Sequence, residues 1–185
     1  CKAGARLEIF IEAMGRINFG RAIKDFKGIT GNVTVTSDYG TSELTGWTVS
    51  CIPDGYEDAL AALEKGGEKA FDTGAGYYRG TFRLRKTGDT FLNMEAFGKG
   101  QVYVNGHAIG RFWSIGPQQT LYVPGCWLKK GKNEVIVLDV AGPAGNPAIF
   151  GQSIPELDKL NLEEPRTHDN WENRPDLSSM KAVKS

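Results

Sequence analysis

The 185-residue chain predicts an all-β fold, an antiparallel sandwich of the jelly-roll kind with one short helical insertion. Three observations carry this. Glycine, at 24 residues, is nearly twice the average usage of about 7%, and it accompanies 9 Phe, 6 Tyr and 4 Trp, a composition of tight turns between aromatic-rich strands. Short β-branched and aromatic runs recur at regular spacing between Gly, Pro, Asn and Asp clusters. Asn105-Gly106 is the dipeptide preferred in a two-residue type I′ hairpin, whose central residues both take positive φ.

Taken in order, residues 7–12 alternate Leu7, Ile9 and Ile11 with Glu8, Phe10 and Glu12, the period of a strand with one core face, with Gly15 and Gly20 supplying the turn. Residues 31–36 predict a second strand, bounded by Gly28 and Asp38-Tyr39-Gly40, and Trp47-Thr48-Val49 a short third, stopped by Pro53-Asp54-Gly55. A helix is predicted over 56–65. It has good helix formers, Glu57 and Asp58 at its positive end and Gly66-Gly67 past its other end, and it reads as a surface insertion. Strands are then predicted at 77–84, 90–94, 101–104, 120–123 and 134–140. Residues 142–147 read as a linker. Residues 161–185 are polar, with Pro165 and Pro175, and are expected to be extended, draped over the body or disordered.

The 22 Lys+Arg balance 22 Asp+Glu, so no global field draws nucleic acid or an anionic membrane, and neither is expected as a partner. The chain is too short for a complete (β/α)8 barrel, which takes about 250 residues. Cys1, Cys51 and Cys126 lie far apart, with only two histidines, so no zinc site of ordinary spacing is expected, and the odd count leaves at least one free thiol. The longest apolar run, residues 135–138, is cut by Asp139, too short for a membrane span. Because the strand pattern begins almost at once after a non-Met start, the chain is read as a piece of a longer protein.

Glycosidase chemistry needs two carboxyl groups facing one sugar. Glu95, the acid of the densest aromatic stretch, has no evident partner in the sequence and reads as a solvated glutamate. His107 follows a turn, where an exposed polar residue is ordinary, and neither Ser114 nor Cys126 offers it a nucleophile. Gly98, Gly100, Gly106 and Gly110 lie within hairpins, so they are not a nucleotide loop, which joins a strand to a helix. Asn32-Val33-Thr34 is a glycosylation sequon, relevant only to a parent secreted from a eukaryote. No catalytic residue, metal ligand or cofactor is assigned.

The stretch from Gly98-Lys99-Gly100-Gln101-Val102-Tyr103-Val104-Asn105-Gly106-His107 to Arg111-Phe112-Trp113, followed by Gly116-Pro117-Gln118-Gln119-Thr120-Leu121-Tyr122-Val123-Pro124, resembles the C-terminal β-domain of the family 35 glycoside hydrolases, the β-galactosidases. Met14-Gly15-Arg16-Ile17-Asn18-Phe19-Gly20 and Asp25-Phe26-Lys27-Gly28-Ile29 resemble the same family's preceding β-domain junction. The resemblance spans residues 7–141. It implies a galactose-binding-like fold and a parent whose N-terminal barrel holds both catalytic glutamates; neither motif of that barrel is matched here. The implied domains are 1–43, terminal strands of an upstream β-domain, which either pack on the sandwich, pair between copies or stay loose; 44–158, the sandwich; and 159–185, the extended segment.

Arg111, Trp113, Gln118, Gln119 and Asn105 are the candidates for sugar binding or for a domain interface. Arg111 either stacks on a ring or reaches a carboxylate, and Trp113 either stacks on a sugar face or fills the core or an interface. Trp47 and Trp127 are read as core or interface residues. The first reading is a non-catalytic sandwich supporting the barrel of a parent that hydrolyses terminal β-galactosides, with barrel and upstream β-domain as partners and galactosides as ligands of the parent. An exported parent is implied: periplasmic, extracellular or lysosomal-type. The rivals are an autonomous carbohydrate-binding module and an oligomerisation module; an enzyme in its own right comes last.

Overall fold

A computed structural model describes residues 4–13, 15, 27–67, 74–145, 147–159 and 161, in two compact units, one within 1–50 and one within 51–166. The first unit contains one hairpin, β1 (Thr34–Ser37) and β2 (Gly40–Glu43), in register from Thr34 opposite Glu43 to Ser37 opposite Gly40. Its bonds are peripheral. Asn32 Nδ2 donates to Glu43 Oε2 at 3.0 Å, the Thr36 and Thr41 hydroxyls meet at 3.0 Å, and every residue of both strands is exposed.

Two expectations fail in this unit. Residues 7–12 and 47–49 form no strand, because no neighbour among the described residues takes up their backbone hydrogen bonds. Leu7, Ile9 and Ile11, read as a core face, are 53%, 42% and 47% exposed, and Trp47, read as buried, is 43% exposed and donates its indole N–H to the Leu44 carbonyl. The turn at Gly20 lies outside the described residues.

The second unit is the sandwich. After α1 (Tyr56–Gly66) come β3 (Gly76–Leu84), β4 (Thr90–Asn93), β5 (Lys99–Val104), β6 (His107–Trp113), β7 (Thr120–Val123), β8 (Gly131–Asp139) and β9 (Phe150–Gln152). One sheet runs β3-β8-β5-β6 and the other β7-β4-β9, with all pairs antiparallel. The all-β antiparallel sandwich with one helix, of galactose-binding-like fold, is the predicted class; β9, beyond the expected linker, is an added strand.

Alternation builds the core. Val102 and Val104 of β5, Phe112 of β6, and Val135 and Val137 of β8 meet Leu92, Leu121 and Val123 of the smaller sheet. Tyr103 and Ile136, one residue out of phase, point to the opposite face, where they bury Ala59 of α1 together with Tyr56, Leu60 and Tyr77. The helix is therefore a cover for the outer face of the larger sheet, and its small Ala59 permits the close approach. Gly55 N donates to Asp58 Oδ2 at 3.2 Å at one helix end, and Gly67, at φ 65°, donates to Leu63 O at the other.

Candidate functional site

The hairpin β5–β6 and the loop after it carry all five candidates, and its turn comes first. Asn105 and Gly106 take φ 49° and 89°, the type I′ geometry predicted from the dipeptide. Asn105 spends its side chain inside the fold: Nδ2 donates to Trp127 O at 2.7 Å and to Asn133 Oδ1 at 2.8 Å, and Oδ1 accepts from Glu134 N at 3.0 Å. Asn133, 1% exposed, is satisfied in turn by the Lys129 and Gly131 backbone. His107, just past the turn, stacks on Trp127 with ring centroids 4.6 Å apart and planes 9° from parallel, which leaves the indole half-buried.

Farther along β6 the register slips. Val102 faces Gly110 and Tyr103 faces Ala108, so Ile109 is an extra residue, a bulge that turns its side chain onto the core, and Gly110 takes φ 145°. Beyond it Phe112 enters the core while Arg111 and Trp113 share the outer face. Arg111 reaches a carboxylate of its own unit, Asp54 at 3.3 Å, an exposed pair worth little energy. The cation over the Trp113 ring is Lys99, its cross-strand partner, with Nζ 3.7 Å from the centroid. Trp113 is half-buried on this side. Tyr103 donates its hydroxyl to the Asp54 carbonyl, and burial, then the charge of Asp54, pushes that phenol above its ordinary range; Tyr77 is raised by burial and by Asp58.

The two glutamines belong to a different construction. Residues 156–159 and Asn161 form a strap laid over the 114–120 loop: Gln119 N donates to Glu156 O at 2.9 Å, Glu156 N to Thr120 Oγ1 at 3.0 Å, and Asn161 N to Ile115 O at 3.1 Å. Gln119, 2% exposed, gives its amide N–H groups to the Ser114 and Lys159 carbonyls. Gly116 has no room for a side chain because a Cβ there would collide with the Lys159 carbonyl. Gln118 is exposed and donates to Thr120 O at 2.9 Å. Lys159 also pairs with Glu95, the exposed glutamate past β4, and this bond raises the lysine's pKa.

Sequence reasoning missed the group that locks this region. Asp139, fully buried at the end of β8, accepts from four backbone amides: Gly98 at 2.7 Å, Lys99 at 3.1 Å, Ala141 at 3.0 Å and Gly142 at 2.9 Å. A carboxylate is needed because no uncharged side chain offers so many acceptor positions. Gly98 and Gly100 are required beside it: a Cβ on Gly98 would stand 2.7 Å from Ala141 Cβ, and one on Gly100 would strike the Leu138 carbonyl. The available signal was the single acid ending an apolar run. Thus the structure brings Arg111 and Trp113 together on one face, engages Gln119 and Asn105 elsewhere, and leaves Gln118 at the surface.

Comparison with known proteins adds two family matches. Residues 75–133 match the galactose-binding domain of β-galactosidase, and residues 1–53 match the first all-β domain of β-galactosidase. Among curated relatives, the β-galactosidase of Canis lupus familiaris is 34% identical over 188 aligned positions, covering 90% of this chain and 27% of that protein. The β-galactosidase of Mus musculus is 37% identical over 144 residues, 66% of this chain and 21% of the relative; the human β-galactosidase-1-like protein 3 is 37% identical over 161, with 84% and 23% covered. The chain spans roughly a fifth to a quarter of the length of these relatives.

Proposed function

From the premise that the chain belongs to the family 35 β-galactosidases, carrying their first all-β and galactose-binding domains, we propose that it is the non-catalytic β-sandwich portion of such an enzyme, supporting a catalytic barrel. One observation carries this reading. The motif residues that looked available to a ligand are largely committed to the fold: Asn105 to the β8 entry, Gln119 to the strap, and the face of Trp113 to Lys99. Such a composition needs no sugar to explain it.

The parent then hydrolyses terminal β-galactosides in carbohydrate metabolism by a retaining mechanism, with both carboxylates in a barrel outside this chain. The sandwich's partners are that barrel and the upstream β-domain of the same polypeptide, and the half-buried Trp113 face with Arg111 is its docking surface. The compartment is that of an exported enzyme. The test is direct: the isolated chain incubated with a chromogenic β-galactoside releases no chromophore above a buffer blank, and its Trp fluorescence does not respond to galactose. Saturable galactose binding lost in Trp113→Ala, with the fold intact, would make the domain a carbohydrate-binding module instead.

A further inference from the structure

The sandwich has four sheet edges among its described residues, and three of them are blunted. β6 carries the Ile109 bulge, β9 is three residues long, and β7 is four residues long and crossed at its start by the strap at Glu156. β3 is different. It is nine residues long, pairs with β8 without a register slip, contains no proline, and has a strand partner on one side only among the described residues. A row of backbone donors and acceptors about 30 Å long is therefore left along its outer edge.

Beside that edge the two sheets part around a cleft of about 870 Å³. Tyr78, Phe82 and Leu84 line it from β3, Ile149 and Phe150 face them from the β9 side, and Leu92 lies at its floor. The first three pack against the core cluster yet are only half-buried, and Phe150 is 55% exposed, so the core is incompletely covered on this side. An extended segment paired to β3 points alternate side chains into such a cleft.

Charge distinguishes the occupants. At the end of β3 stand Arg83, Arg85 and Lys86, all exposed and without an ion pair among the described residues, and Arg83 lies directly opposite Lys132 in the sheet. Like charges in cross-strand register are unfavourable without a counter-charge. A second copy of this chain would bring more of the same cations. We propose that the free edge of β3 and the cleft beside it form a strand-acceptor site for an extended polypeptide segment, apolar at alternate residues and acidic at the end that meets Arg83 and Arg85.

The probe is a ten-residue peptide alternating Val with Thr and ending in two Glu, titrated against the full chain. Saturable binding is expected, with slowed amide exchange over residues 76–84, about tenfold weaker binding to the Arg83→Glu/Arg85→Glu variant, and weaker binding of the Lys-ended peptide. A peptide of the same side chains, N-methylated along one edge, should lose binding; this arm changes nothing in the protein's fold. Absence of saturable binding overturns the proposal. So does undiminished binding of the N-methylated peptide, which would make the cleft a pocket for apolar groups alone. A β3-mediated dimer of the chain that the peptide does not dissociate would assign the edge to a second copy, and equally overturns it.

Discussion

The β1–β2 hairpin and the β5–β6 hairpin begin from similar sequence, β-branched runs folded back over short polar turns, yet one lies wholly exposed and the other is welded into a sandwich. The difference is not propensity. Val102 and Val104 find a facing sheet, and Tyr103 finds a helix, whereas Val35 remains 44% exposed among the described residues. A two-stranded ribbon without a covering layer gains little from its pairing. Alternation specifies which face wants burial; it says nothing of what will bury it.

The comparison can be broken most forcefully at Asp139. Asp139→Ala strands four amides, so urea unfolding of the sandwich should lose about 4 kcal/mol or more. Thr36→Ala, which removes the hydroxyl contact of β1, should stay within about 0.5 kcal/mol. If the two changes cost the same, the regions are not energetically distinct. Next in size are matched deletions of buried and exposed apolar groups. Ile136→Ala should cost about 3 kcal/mol by the same measurement, and Val35→Ala almost nothing.

Glycines sharpen the contrast further. Gly106 and Gly40 both hold positive φ, 89° and 120°, so alanine strains either one locally by about 1–2 kcal/mol. Only Gly106→Ala should lower the sandwich's thermal midpoint, because the strain at Gly40 falls in a ribbon whose residues are all exposed. The smallest effect is electrostatic. The Gly125 amide, and then the Tyr122 hydroxyl, hold the Asp89 carboxyl below its ordinary value of 3.8. A depressed carboxylate stabilises the fold above the unfolded value, and that contribution disappears as pH falls through the folded one. The difference in thermal midpoint between the unsubstituted chain and Asp89→Asn should therefore shrink as pH falls from neutrality through and below the ordinary carboxylate range; a constant difference would remove Asp89 from the acid response.

Much of the sandwich was legible. Strands β3, β5 and β8 follow from their alternation, α1 from its formers and glycine stop, and the hairpin turn from one dipeptide. Pairing was less so: residues 7–12 carry as clean an alternation as β3 but lack a strand neighbour among the described residues. Of the candidate site, Arg111 and Trp113 were legible as a pair because residues two apart share a strand face. The duties of Asn105, Gln119 and Asp139 were not, since each answers backbone groups brought from 22 to 41 positions away in the chain. A polar residue in sequence advertises hydrogen-bonding capacity; only the fold decides whether a ligand or the chain consumes it.

The pairing of β3 with β8 also sets an order of events during synthesis. Leu84 meets Gly131 and Gly76 meets Asp139, so β3 leaves the ribosome about 50 to 60 residues before its sheet neighbour. At ordinary translation rates this is a delay of roughly 3–12 s. Throughout it, Tyr78, Phe82 and Leu84 have no sheet to enter, while the β5–β6 hairpin can already close on itself. The nascent chain thus holds its longest edge strand open until the final third of the sandwich arrives, and this is the interval in which a chaperone would find the most apolar surface to hold.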